Sequence, residues 1–128
     1  MIKTENLTFW YSKQKKIFEN LDIELDAGHI YGLLGKNGAG KTTLLKLISG
    51  LLFPKSGVIA IDGLNPAKRD PGFLADIFLI PEEISLPALT VKKFAEIYGG
   101  FYPAYDSDQF TEFLEKFEVK ADQNISAM

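Results

Sequence analysis

Residues 35–42 read Gly35-Lys36-Asn37-Gly38-Ala39-Gly40-Lys41-Thr42. Glycine, four residues, then Gly-Lys-Thr is the phosphate-binding loop, or Walker A pattern. Each residue type has a mechanical reason. Gly35, Gly38 and Gly40 are free to take positive φ, and with no Cβ they let the backbone come close to an anion. The loop amides can then converge as a nest. Lys41 supplies a mobile charge for β and γ phosphates, and the Thr42 hydroxyl suits a Mg²⁺ ligand. An apolar, helically spaced segment follows, so the positive end of a helix dipole also points at the phosphates.

The pattern arises by chance in roughly one chain in a few hundred of this length, given ordinary glycine, lysine and hydroxyl usage. Its surroundings sharpen it. The motif belongs between a buried strand and a helix. His29-Ile30-Tyr31-Gly32-Leu33-Leu34 is a short apolar run that reads as the strand. Thr42 to Ile48 has apolar residues at helical spacing, and Gly50 is a stop signal.

Composition sets the outer bounds. The chain has 128 residues, enough for one modest domain. Fourteen basic and 17 acidic residues give a net charge of −3, which argues against a dedicated nucleic-acid binder. Lys13, Lys15 and Lys16 cluster locally and read as a solvated turn. There is no cysteine and a single histidine, His29, so neither a disulfide framework nor a thiolate or histidine zinc site is expected. No apolar run has the length of a bilayer span. Met1 to Asn6 lacks a signal-peptide apolar region. A cytoplasmic location follows as an expectation, with any membrane role that of a peripheral subunit.

Along the chain, residues 2–11 alternate and then turn aromatic at Leu7, Phe9, Trp10 and Tyr11, which reads as a strand. Residues 12–16 form a turn, and 17–25 a second strand pairing antiparallel with the first. Val58-Ile59-Ala60-Ile61 is a β-branched strand ended by Asp62-Gly63. Residues 64–72 are loop-like, with Pro66, Pro71 and Gly72. Ile77-Phe78-Leu79-Ile80 reads as another strand, ended by Pro81-Glu82-Glu83, and 84–90 as a loop. Thr90 is a cap for a helix from Val91 to about Tyr98, stopped by Gly99-Gly100. Asp106 or Ser107 caps a last helix, whose Phe110, Phe113, Leu114 and Phe117 read as a core-facing stripe. Residues 119–128 look like the start of something unfinished.

Taken together, these residues resemble the ATPase subunit, or nucleotide-binding domain, of an ABC transporter. Leu7-Thr8-Phe9-Trp10-Tyr11 is similar to the segment ending in the family's aromatic A-loop residue, and residues 35–43 to its form of Walker A. Residues 50–57 and 59–63 resemble the passage that follows. Ile77 to Glu82 resembles the strand and Q-loop. The resemblance covers residues 7–83 and implies an α/β fold: a partial P-loop NTPase (ABC ATPase) core with an N-terminal antiparallel β-subdomain and the beginning of a helical subdomain. Its implied divisions are residues 1–75 for the β-subdomain and P-loop core, 76–83 for the Q-loop strand, and 84–128 for the helical subdomain.

The resemblance also implies roles. Tyr11 would stack on adenine, with Phe9 and Trp10 competing for that place. Gly35, Lys36, Asn37, Gly38, Ala39, Gly40, Lys41, Thr42 and Thr43 would hold ATP, with Lys41 also catalytic. Thr42 and Glu82 would complete a Mg²⁺ shell, although Glu82 stands where the family usually has glutamine. Implied partners are a transmembrane permease and a second ABC ATPase domain closing across ATP, on the inner face of the cell membrane.

The family's signature, Walker B aspartate, catalytic glutamate and switch histidine normally follow the Q-loop, and the sequence shows none of them. The expectation is the N-terminal portion of a longer subunit, binding nucleotide far better than it hydrolyses it. Its open apolar edges should leave it marginally stable or associating. A soluble ABC ATPase acting on nucleic acid or ribosomes shares the same motifs, but the negative charge and the lack of heptads lean away from it. A kinase lacks reason for a tyrosine ahead of the loop, and a GTPase would need Asn-Lys-x-Asp.

Overall fold

The computed structural model describes residues 1–82 and 87–127. Strand β1 (Ile2–Ser12) pairs antiparallel with β2 (Lys15–Leu25), as the alternation requires. Strand β3 (Ser56–Ile61) pairs antiparallel with the other edge of β1, giving the order β2-β1-β3. Residues Met1–Leu79 form one compact unit and Ile80–Met128 another. Each is described by itself.

The hairpin is bulged on both strands. Its register steps from Thr4↔Ile23 to Leu7↔Leu21, so β1 gains a residue near Asn6. From Leu7↔Leu21 to Phe9↔Phe18, β2 gains one near Asn20. Asn6 and Asn20 have φ of 50° and 52°, the left-handed region that asparagine tolerates better than most residues. An extra residue reverses which side chains face inward. Inward apolar positions are therefore even before the bulge in β1 (Ile2) and odd after it (Leu7, Phe9).

Threonine hydroxyls replace part of the disrupted ladder. Thr4 Oγ1 donates to Leu21 O and accepts from Ile23 N, both at 2.9 Å. Thr8 Oγ1 accepts from Asn20 N at 3.1 Å. Both threonines are buried, so these bonds satisfy groups that would otherwise be orphaned.

Helix α1 (Lys41–Ile48) packs on this sheet. Leu7, Phe9, Leu44, Leu47 and Ile59 form the buried core, flanked by Ile17, Phe18, Leu21, Ile23, Ile48 and Leu52. Each fully buried side chain of this kind contributes about 1.5–3 kcal/mol before entropy is counted. The helix ends at a Ser49 cap, and Gly50 takes φ 69°. Arg69 donates to Gly50 O at 2.9 Å, satisfying a carbonyl past the helix end.

Three expectations for this unit change. Residues 64–72 are not simply a loop. Asn65 caps a 3-10 turn at Pro66–Lys68, and Asp70 caps α2 (Pro71–Asp76), with Phe73 buried. Proline read as a breaker is here the first residue of each turn, where its missing N–H costs nothing. Residues 29–34 and 77–80 form no strand. A strand needs a ladder, and neither segment joins the β2-β1-β3 sheet. Ile30 and Leu34 are 103% and 93% exposed, and Phe78 and Ile80 are exposed too.

In the second unit, Thr90 caps α3 (Val91–Gly99) by accepting from Lys93 N at 3.2 Å. Asp106 caps α4 (Ser107–Lys116) by accepting from Asp108 N and Gln109 N at 2.8 and 3.0 Å. Gly99 lies inside α3 rather than after it. A Cβ there would stand 2.7 Å from the Tyr105 ring, so close approach explains it better than a helix stop. The α4 stripe is not a core: Phe113 and Phe117 are exposed, and Phe110 and Leu114 only half-buried. Residues 121–125 fold back on the start of α3, with Val91 N donating to Gln123 O at 3.0 Å and Ile125 N to Leu89 O at 2.9 Å. Of the expected turn at 81–83 and loop at 84–90, residues 83–86 lie outside the described residues.

Two substitutions test this account. Thr4→Val should lower unfolding free energy in urea by about 1–3 kcal/mol, while Thr4→Ser stays near the parent, because only valine leaves the bulge amide and carbonyl unbonded. Gly57 and Gly63 have φ of 85° and 82°, but a Cβ on Gly57 would lie 2.3 Å from Asn6 O, whereas Gly63 faces open space. Gly63→Ala should cost about 1–2 kcal/mol from the left-handed backbone alone. Gly57→Ala should cost clearly more in the same thermal or urea melt, since it also drives the β1 bulge away.

Candidate functional site

The phosphate-loop residues all lie in the first unit, between the segment at 29–34 and helix α1. Ala39 N donates to Lys36 O at 3.1 Å and closes a turn. Gly38 and Gly40 then take φ of 81° and 96°. Gly35 does not: its backbone is ordinary, and a Cβ there would rest 3.4 Å from the Ala39 methyl. Only two of the three loop glycines, therefore, are needed for left-handed backbone.

Gly40 has a second reason. A Cβ on it would lie 2.6 Å from Ile17 Cγ2 and 2.8 Å from Phe18 Cζ, so the end of the loop is pressed against β2. Sequence reasoning missed this wall. The signal was two consecutive apolar residues in a strand that otherwise alternates.

Gly40 is also the N-cap of α1 and brings no side-chain hydrogen bond to its first turn, which has no acidic residue. Most helices satisfy those first amides with a serine, threonine or aspartate side chain. Here the positive end of the helix is left to another partner, which is the electrostatic condition for holding an anion. Lys41 Nζ donates to Gly35 O at 2.8 Å and Lys36 O at 3.1 Å, so the ammonium is folded over the loop's own carbonyls. Neutral carbonyls are weak partners for an ammonium beside a phosphate, and the swap needs only side-chain rotation. Lys36 and Ala39 serve the loop through the main chain, Asn37 is an exposed turn residue, and Thr42 is exposed.

Of the three aromatics at the end of β1, Phe9 is buried in the core and Trp10 half-buried. Tyr11 is 63% exposed. Its ring meets that of Phe9 edge-to-face at 5.0 Å and 90°, a favoured aromatic geometry. Its hydroxyl lies 3.1 Å from Thr43 Oγ1 on the first turn of α1. The structure thus brings Tyr11 and the phosphate loop together. Glu82 is an exposed bend residue of the second unit. Among the described residues, no three acidic or histidine side chains converge on a point where a metal ion would sit.

The arrangement can do one thing well: grip a chain of phosphates by main-chain amides, a helix end and one lysine, beside an exposed aromatic ring. An ATP molecule with its magnesium fits that chemistry, because the uncapped amides and the glycine approach suit the phosphates and the Thr42 hydroxyl is open to a cation. Among the described residues no helix is long and apolar enough to cross a membrane.

Comparison with known proteins agrees. The ABC transporter family model matches residues 18–127. The chain is 31% identical over 105 residues to the ABC transporter ATP-binding protein YtrB of Bacillus subtilis, covering 81% of this chain and 36% of that protein. It is 45% identical over 82 residues to the bacitracin transport ATP-binding protein BcrA of Bacillus licheniformis, covering 64% and 26%. The solved structure of a putative ABC transporter ATP-binding protein from Pyrococcus furiosus superposes with TM-score 0.79 at 28% identity, over 99% of this chain and 62% of that one. The chain spans about a third of the length of the curated relatives it matches. Its fold is that of a partial α/β ABC ATPase core, and the chain belongs to the ABC transporter family.

Proposed function

We propose that this chain is the nucleotide-gripping part of an ATP-binding subunit that powers transport through a partner membrane permease. The observation that carries the proposal is the start of α1: a helix whose first turn is bare of capping side chains, entered through two left-handed glycines, with Lys41 poised over the loop. Relatives named as ATP-binding proteins of ABC transporters support the nucleotide, and the one named for bacitracin transport supports transport as the purpose.

In this reading the amides of residues 35–43 and the Lys41 ammonium hold the phosphates of ATP. Tyr11 carries the adenine on its exposed ring face; stacking suits any purine, so it gives affinity more than base selection. Thr42 ligates Mg²⁺ through its hydroxyl. Hydrolysis belongs to the whole protein, where Lys41 stabilises charge on the transferring phosphoryl group. ATP is closed between this domain and a second ABC ATPase domain. The assembly sits peripherally on the cytoplasmic face of the membrane, against the permease.

Calorimetric titration tests the core of the proposal. The chain should bind magnesium and ATP, and Lys41→Ala should abolish the heat without changing the melting curve. Tyr11→Ala should weaken ATP by about 1–3 kcal/mol if the ring stacks on the base. Its effect on tripolyphosphate should be much smaller. A folded parent chain that takes up no ATP refutes the reading.

A further inference from the structure

The Tyr11–Thr43 contact joins the end of β1 to the first turn of α1, and the phosphate pattern alone gives no reason for it. Tyr11 Oη and Thr43 Oγ1 lie 3.1 Å apart. Thr43 is buried while Tyr11 keeps most of its surface open. The ring is held at two points. Below, Phe9 meets it edge-to-face at 5.0 Å, and Phe9 is itself locked in the core and roofed by the Lys55 ammonium at 5.9 Å. At the tip, the phenol is held by Thr43. Two such contacts fix a ring's plane and leave a face free.

A stacking platform gains from such fixing. A tyrosine at a strand end is otherwise free to rotate, and ordering it on binding subtracts from affinity. Thr43 is buried on the first turn of the helix, where packing limits its choice between the two χ1 rotamers open to a helical threonine, so its hydroxyl is a defined anchor. The anchor also stands one residue past Thr42, so the platform's position is referred directly to the phosphate cradle.

We propose that Thr43 is a positioning residue for the base, its hydroxyl tethering the Tyr11 phenol so that the ring stands preset at a fixed offset from the phosphate loop. The inference rests on the reading that Tyr11 carries the adenine.

The test is the ratio of tripolyphosphate Kd to ATP Kd, both with magnesium, followed through the fluorescence of the single tryptophan, Trp10, which adjoins Tyr11. Thr43→Val should reduce that ratio about three- to tenfold, the size of one lost hydrogen bond. Tyr11→Phe should do the same, the double variant should lose no more than either alone, and Thr43→Ser should restore the parent ratio. Thr43→Val at the parent ratio, additive losses in the double variant, or tighter ATP binding by Thr43→Val would each overturn the tether. Tyr11→Ala separates the two levels. If it leaves the ratio untouched, the base-stacking reading falls and the tether with it. If it collapses the ratio while Thr43→Val is silent, only the tether falls.

Discussion

The contact on which the rest of the first unit depends is the one between Gly40 and the inner face of β2. Ile17 and Phe18 occupy the space a side chain at position 40 would need. The loop's end is therefore seated on the sheet, not merely attached to it through the chain. Phe18 in turn pairs across the hairpin with Phe9, and Phe9 supports Tyr11. A single line of packing runs from the start of α1 through both strands to the exposed ring. Close-packed cores shift as units, so the loop and the Tyr11 ring keep their separation.

That line exists because the hairpin is irregular. In an unbroken strand, Ile2 and Phe9 would face opposite sides. The extra residue at Asn6 brings them to one face, and the matching irregularity at Asn20 does the same for Phe18 and Leu21. The disturbance would strand backbone groups in the interior, and the Thr4 and Thr8 hydroxyls take them up. Gly57 completes the arrangement from the other edge, passing so close to Asn6 O that only a residue without Cβ fits. Polar residues in a sheet interior here serve geometry: they make affordable a register shift that places the aromatics.

Much of this was legible in the sequence. The hairpin, β3, α1 and the capped helices at Thr90 and Asp106 follow from alternation, helical spacing and cap chemistry, all of them local signals. The failures share a cause. Residues 29–34 and 77–80 are as apolar as a buried strand, but a strand is a relation between segments, and neither segment enters the ladder of β1, β2 and β3. The α4 phenylalanines keep helical spacing, but spacing says which residues share a face and not what covers it. Pro66 and Pro71 make residues 64–72 look loop-like, but proline both stops and starts helices, and the capping Asn65 and Asp70 just before them decide the matter. At the site, the left-handed turn at Gly38 and Gly40 was legible, but Gly35 keeps ordinary backbone, and the Gly40 wall and the Thr43 contact depend on residues 22 and more positions apart in the chain.

The structure also explains why so short a pattern can specify a cradle. Lys36 and Ala39 act through a carbonyl and an amide, and Asn37 only spans the turn. If the loop holds phosphates as proposed, the grip is main chain and asks nothing of these side chains. Gly38 is fixed by its left-handed angle, Gly40 by that angle and by the wall behind it. Lys41 folds a full charge over a loop of partial ones, and its bonds to the Gly35 and Lys36 carbonyls keep that charge at hand without burying it. Main-chain dipoles held rigid before an anion arrives lose little on binding, whereas flexible side chains would have to be ordered first. The most demanding position is thus Gly40, the residue with no chemistry of its own, because it joins the cradle to the core that keeps it in shape.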